Sequence, residues 1–305
     1  MEQPKPLFEQ YIETIEAKQA RINANGMWKW VQLCLKRDGL SLESLAEDQI
    51  ISILQENGSP SFTTSRSRIA ILKSFYEFCV GRGVRNDNPA LNISYKDLDY
   101  TESFRTFYWP NYLAMLNTLN RVWTPDEGLP IYPILVFAWI GIPLAAVNTL
   151  PKQNVMISDG IVDYDGQEFR LTAAMSDVLQ RYAKFTSSRR DNRMTMIRTY
   201  QSDAFLYRLD IQNRTASDVS TEPINISTVL SAASDVLKNK HLCSQLKYNN
   251  IVKSGCLHRM YMMECEGFSQ QEILKYGKQF LKPPAGYPGD EVLSYEVYKK
   301  AFGLK

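Results

Sequence analysis

Residues Ser61–Ala90 read SFTTSRSRIAILKSFYEFCVGRGVRNDNPA, and this stretch decides the fold. Ile69, Leu72, Tyr76 and Cys79 recur at 3-4-3 spacing, and Phe75 and Phe78 widen the stripe, as on one face of an amphipathic helix. Thr63 or Thr64 can cap its start, Gly81 and Gly83 stop it, and Asn88-Pro89 follows as a turn. Towards the N-terminus, Leu7–Ala24, Met27–Lys36 and Leu45–Gln55 are also helix-compatible, with Gly39 closing the second. No segment here alternates as a strand does, so residues 1–95 are expected to form a small helical bundle.

Beyond it the pattern changes. Asn92–Ser103 is polar enough for a linker, placed at 96–104, ahead of a larger domain over 105–305. Tyr112–Val122 reads as a helix with Pro110 suited to its first turn. Tyr132–Val147 is apolar nearly all round, which predicts a buried helix. It is shorter than the ~20 residues a bilayer needs, and Gly141 and Pro143 interrupt it, so no membrane partner is expected. Val155–Ile157, Ile161–Tyr164 and Glu168–Leu171 are short runs separated by Ser-Asp-Gly and Asp-Gly, which is hairpin chemistry. Helices resume at Ala173–Phe185, Ile226–Leu237, Cys256–Glu266 and Gln270–Tyr276. The expected class is mostly α with one small antiparallel β-sheet.

The whole chain has 305 residues and a formal net charge of +2, with 44% hydrophobic and 22% charged residues. That is globular composition, long enough for two cores, and it excludes a disordered chain or a polycation. Five scattered cysteines without a CxxC pair fit a reducing cytoplasm. His241 and His258 have no Cys or His at ligand spacing, so no metal or other cofactor is expected. Charge is nevertheless local. Thr63–Asn86 holds five basic residues (Arg66, Arg68, Lys73, Arg82, Arg85) against Glu77, a net of +4. Arg181–Arg214 holds eight, Arg189, Arg190 and Arg193 among them, against three aspartates, a net of +5. Such clusters are either solvated faces or surfaces that track phosphate. The hydroxyls of Thr63, Thr64, Ser65 and Ser67 beside Arg66 and Arg68 favour double-stranded DNA as partner, because hydroxyls bind phosphates and Arg reaches base edges.

The Ser61–Ala90 stretch resembles the last helix of the core-binding domain of tyrosine recombinases, the phage integrase superfamily. The order that follows (linker, apolar helix, three-strand unit, helical C-terminus) is similar to that family's over residues 8–300. The resemblance implies an N-terminal helical, SAM-like core-binding domain followed by a catalytic-type domain. It also implies a chemistry in which a C-terminal Tyr attacks DNA while two Arg, a Lys and a His or Trp surround the scissile phosphate.

The matching positions are degenerate. Against Thr-Gly-Leu-Arg-x-x-Glu-Leu stands Ile140-Gly141-Ile142-Pro143-Leu144-Ala145-Ala146-Val147, with Pro143 in place of Arg. Ile161–Gln167, where the hairpin Lys belongs, has none. Against His-x-Leu-Arg-Arg/His-Ser/Thr-Gly stands Asn249-Asn250-Ile251-Val252-Lys253-Ser254-Gly255, with Val252 in place of Arg; a second register would enlist His258-Arg259 but misplaces Gly267. Tyr276-Gly277-Lys278 puts Lys278 in place of His. Tyr287 falls at nucleophile spacing within a Pro/Gly turn, with Tyr295 and Tyr298 as competitors.

Losing one preorganised charge-stabilising donor costs about 10²–10³ in rate, so losing several leaves little catalysis. The leading expectation is a sequence-specific DNA-binding protein that has lost strand cleavage, similar in kind to recombinase-fold repressors of SPbeta-type prophages. It would be a cytoplasmic, nucleoid-associated regulator of lysogeny in a bacterial or phage-infected cell. Thr64, Arg66, Arg68 and Lys73 would hold DNA from one domain, and Arg189, Arg190, Arg193, Lys253, His258 and Arg259 from the other. Two alternatives stay open: an active but divergent recombinase, and a helical interaction module that binds no DNA. The family's final helix passes to a neighbouring protomer, and Val292–Phe302 is amphipathic enough to make a homo-oligomer that way or to pack in cis.

Overall fold

The computed structural model describes residues 6–56, 61–122, 130–184, 187–190, 194–199, 203–206, 208–211, 223–240, 246–281 and 290–305, with backbone alone at Phe280 and in the three strands between 187 and 211. The chain folds as two units, Met1–Phe104 and Arg105–Lys305.

The first unit is built from α1 (Leu7–Thr14), α2 (Lys18–Asp38), α3 (Glu47–Glu56) and α4 (Phe62–Gly81). The helix expected over Leu7–Ala24 breaks at Ile15–Ala17, where the backbone is extended, and α2 then runs straight through Gly26. An interior glycine costs a helix only about 1 kcal/mol, and the buried row Ala24, Met27, Val31 and Leu35 outweighs it. Gly39 closes α2 in the left-handed conformation (φ 65°). Helix α4 is capped by Ser61, whose Oγ accepts the Thr64 N–H at 3.2 Å, and not by Thr63 or Thr64. Phe62 explains the earlier start: its ring is buried 4.6 Å from that of Tyr100, which fixes the entry of the helix. Ile69, Leu72, Phe75, Tyr76 and Cys79 fill the core as their spacing predicts. Phe75 meets Phe8 at 4.9 Å, and the Tyr76 hydroxyl donates to the Leu42 carbonyl at 2.7 Å.

The stretch expected as a linker is packed. A capping box closes a 3-10 turn at Tyr95–Asp97, and Tyr100 and Phe104 are 1% and 4% exposed. Its composition is polar on average, yet the aromatic side chains at 95, 100 and 104 find the α4 start. Helix α5 (Thr101–Phe107) begins there and contains the boundary between the units.

The second unit centres on α7 (Ile131–Ile140), whose Ile131–Trp139 are all buried, as its all-round hydrophobicity predicts. Helices α9 (Ala173–Lys184), α10 (Ile226–Asn239) and α11 (Tyr248–Cys265) pack on it, α6 (Tyr112–Asn120) meets it through Tyr112 on Trp139, and α12 (Gln270–Phe280) and α13 (Asp290–Phe302) pack on α11. Asn111 caps α6, so Pro110 precedes the cap instead of lying in the first turn. Helix α11 starts at Tyr248, well before the expected Cys256.

The predicted antiparallel sheet is present as β1 (Val155–Met156), β2 (Ile161–Tyr164) and β3 (Gln167–Arg170), in order β1-β2-β3. Asp165 (φ 54°) and Gly166 (φ 72°) make the β2–β3 turn, both left-handed as a two-residue hairpin requires. A second three-stranded antiparallel sheet was not expected: β4 (Ser187–Arg190), β5 (Met194–Thr199) and β6 (Arg208–Ile211). Charge dominates the composition of this stretch, but MTMIRT in β5 carries the β-branched residues a strand favours. The final helix docks in cis. Tyr298 donates to the Pro110 carbonyl at 2.7 Å, and Arg105 Nε donates to the Ala301 carbonyl at 2.8 Å.

Candidate nucleic-acid interface

Helix α4 carries the cations of the first unit on two flanks. At about 100° per residue, Arg66 and Lys73 lie within roughly 20° of each other around the axis, whereas Arg68 lies about 200° from Arg66. The three were expected to reach DNA together, but only Arg66 and Lys73 share a surface. They line a groove of about 310 Å³ between α4 and the segment Asn92–Tyr95. The Arg66 guanidinium stacks on the Tyr95 ring at 4.2 Å. On the other flank Arg68 lies over Trp30 at 5.1 Å, and its burial lowers its pKa.

The hydroxyls of Thr64 and Ser65 do structural work. Ser65 is fully buried and donates to the Ser61 carbonyl at 3.2 Å, and Thr64 Oγ1 is 3.0 Å from Ser61 Oγ. Arg85, counted in the basic cluster, donates to the Glu43 and Leu45 carbonyls (2.8 and 2.9 Å) and pairs with Asp87 at 3.0 Å. The cluster's nominal +4 therefore overstates what faces outward. The groove wall Asn92–Tyr95 was missed because its polarity read as linker; the signal was the aromatic spacing at 95, 100 and 104.

In the second unit, the end of α7, with Pro143 just beyond it, meets α11 at one corner. Gly141 (φ 97°) ends α7, the Ile142 N–H reaches back to the Phe137 carbonyl at 2.9 Å, and Pro143 is the extended residue before the short helix α8 (Leu144–Val147). A residue before proline is driven to extended backbone. The Ile142 carbonyl accepts the buried Tyr248 hydroxyl at 2.6 Å, which joins this corner to the start of α11. Along α11, a Cβ at Gly255 would come within 1.9 Å of the Trp139 carbonyl oxygen. Ser254, fully buried, accepts the Trp109 N–H at 3.1 Å and donates to the Asn250 carbonyl at 2.8 Å. Small residues at 254 and 255 thus serve a close helix approach.

The charged candidates on these helices are engaged. Lys253 Nζ lies over the Tyr108 ring at 5.1 Å, Arg259 pairs with Glu266 at 3.0 Å, and Lys278 lies 3.5 Å from Glu291. Val252 packs half-buried against the core. His258 sits 5.8 Å from the Trp139 ring, and burial lowers its pKa against the raising effect of a hydrogen bond to the Pro110 carbonyl. Burial thus opposes the charged form that a phosphate clamp needs.

Both described tyrosines of α13 have hydrogen-bond partners. Tyr298 is fully buried, and burial raises its phenol far above the ordinary value. Tyr295 donates to the Glu264 carboxylate, with burial and then that bond raising its pKa. Lys299 completes the cluster at 2.9 Å from Glu264. Tyr287 and Arg193 lie outside the described residues, and Arg189 and Arg190 are placed only by backbone, opposite Thr195 and Met194 of β5. Among the described residues, no group of three or more His, Cys, Asp or Glu could hold a metal, and no helix is long and apolar enough to cross a membrane.

No protein-family model matches the chain, and no curated protein matches it. Among solved structures, it is similar to the crystal structure of XerA recombinase, at 11% sequence identity over 97% of this chain and 95% of that one, with a TM-score of 0.39.

Proposed function

We propose that the chain binds double-stranded DNA on a tyrosine-recombinase-like scaffold without cutting it, and acts as a transcriptional repressor of a phage or other mobile element. The observation that carries this reading is the corner at Pro143. The position matched to the first phosphate-clamping Arg holds a residue with neither charge nor N–H, and the adjacent Ile142 carbonyl is committed to Tyr248 at 2.6 Å. Val252 at the second Arg position packs on the core, and burial raises the phenol pKa of Tyr295 and Tyr298. A phosphoryl-transfer transition state needs preorganised cations where its charge develops. Binding has a weaker requirement, namely accessible cations along a surface, and Arg66 and Lys73 on one flank of α4 supply it.

A gel-shift titration beside a nicked suicide substrate tests the proposal. Duplex binding that weakens steeply with salt, and no covalent protein–DNA adduct, is the expected result. An adduct abolished by Phe at 287, 295 or 298 would establish an active recombinase instead. Binding indifferent to salt would remove DNA from the account.

A further inference from the structure

The groove on α4 is shaped for more than a strand of phosphates. Arg66 and Lys73 are seven residues apart, about 10 Å along the helix, with Ala70 between them as a side chain too short to fill the gap. Ile69 and Ile93, 5% and 2% exposed, form an apolar floor, and Asn92 and Ser94 bring an amide and a hydroxyl to the facing wall. Tyr95 supports the Arg66 guanidinium at 4.2 Å and so limits the freedom lost on gripping an anion. The carboxylates that follow that wall, Asp97 and Asp99, are not among its lining residues and accept the Ser94 N–H at 2.7 Å and the Thr101 N–H at 2.8 Å. The volume of about 310 Å³ is at the small end of the range for small-molecule sites. An apolar floor adds nothing to the hold of the two cations on a hydrated phosphodiester backbone, whereas it offers contact to the carbon of a compact organic anion.

We propose that this groove binds a small phosphomonoester, its phosphate between Arg66 and Lys73 and its organic body on Ile69, Ala70 and Ile93. Because the same two cations hold DNA in the function proposed above, the occupant is an effector that displaces DNA; this second half rests on that reading. Titration calorimetry of the full chain with AMP, adenosine and inorganic phosphate, in the absence of DNA, tests the site. AMP binds one-to-one and at least tenfold more tightly than adenosine or inorganic phosphate. Arg66→Gln and Lys73→Gln each weaken it about tenfold with an unchanged circular dichroism spectrum, while Arg68→Gln on the opposite flank leaves it intact. AMP binding no tighter than adenosine, or binding that survives both substitutions, overturns the site. Saturating AMP raises the apparent Kd for duplex DNA; AMP that binds without affecting DNA overturns the effector role. A chain that binds AMP and no DNA sinks the repressor reading and leaves the site standing.

Discussion

Replacing Gly255 with Ala tests whether the spacing of α7 and α11 is set by that one residue. The added Cβ would lie 1.9 Å from the Trp139 carbonyl oxygen and 2.8 Å from its carbonyl carbon, and Cβ contacts under 3.0 Å essentially never occur. Both obstacles are main chain in a buried helix, so no rotamer relieves them, and the helices must part by about 1 Å in a close-packed interior. Overpacking of this kind costs about 1–3 kcal/mol, and a backbone clash belongs at the upper end. Alanine regains about 1 kcal/mol of helix propensity, which leaves a net loss of about 2 kcal/mol. For a unit of this size that lowers Tm by about 4–8 °C. Gly26→Ala is the control: it is also in a helix, with no atom within 4 Å of its added Cβ, and should gain about 0.5–1 kcal/mol. Thermal and urea unfolding followed by far-ultraviolet circular dichroism read both. A Gly255→Ala chain that melts at or above the parent would refute the close-approach argument.

Alanine at Arg66 or at Lys73 should each reduce the slope of log K against log salt by about 0.9, equally for all duplex sequences, in filter-binding titrations. Arg68→Ala should leave that slope unchanged and cost about 1 kcal/mol of stability through lost cover of Trp30, read as a shifted urea midpoint. Tyr76→Phe removes a buried hydrogen bond to the Leu42 carbonyl, which keeps the Leu45 N–H at 3.4 Å, and should cost about 0.5–1.5 kcal/mol in the same assay. Because the folded pKa of His258 is below its ordinary 6.5, the native state binds fewer protons than the unfolded one. Its contribution is therefore complete above about pH 6.5 and lost as pH falls through the folded value; unfolding free energies of His258→Gln should lack that slope.

Much of the architecture could be read from the residues. The apolar spacing of Ile69 to Cys79 placed α4, the all-round hydrophobicity of Ile131–Trp139 placed the central helix, and Asp165-Gly166 placed a hairpin. Signals spread over one or two turns of local chain survive into the fold. What failed were inferences that needed tertiary partners. Ser61 and not a threonine caps α4, because Phe62 is already committed to packing on Tyr100. Residues 96–104 looked like a linker until aromatic neighbours claimed Tyr100 and Phe104. At the candidate site, charge showed that cations cluster but not which flank of α4 each takes, and the helical period would have separated Arg68 from Arg66. Arg85 shows the same gap: its partners Glu43 and Leu45 are some forty positions away and cannot be read from a local count.

The bond from Arg105 to the Ala301 carbonyl ties together positions 196 residues apart and sets a schedule for biosynthesis. At about 5–20 residues per second, a ribosome needs roughly 10–40 s to deliver the second partner after the first. Over that interval the nascent Met1–Phe104 unit has all its own elements, whereas the Pro110 carbonyl still lacks the Tyr298 hydroxyl it binds. A chaperone that recognises this chain during translation would therefore find its binding surface on the later unit until α13 packs there.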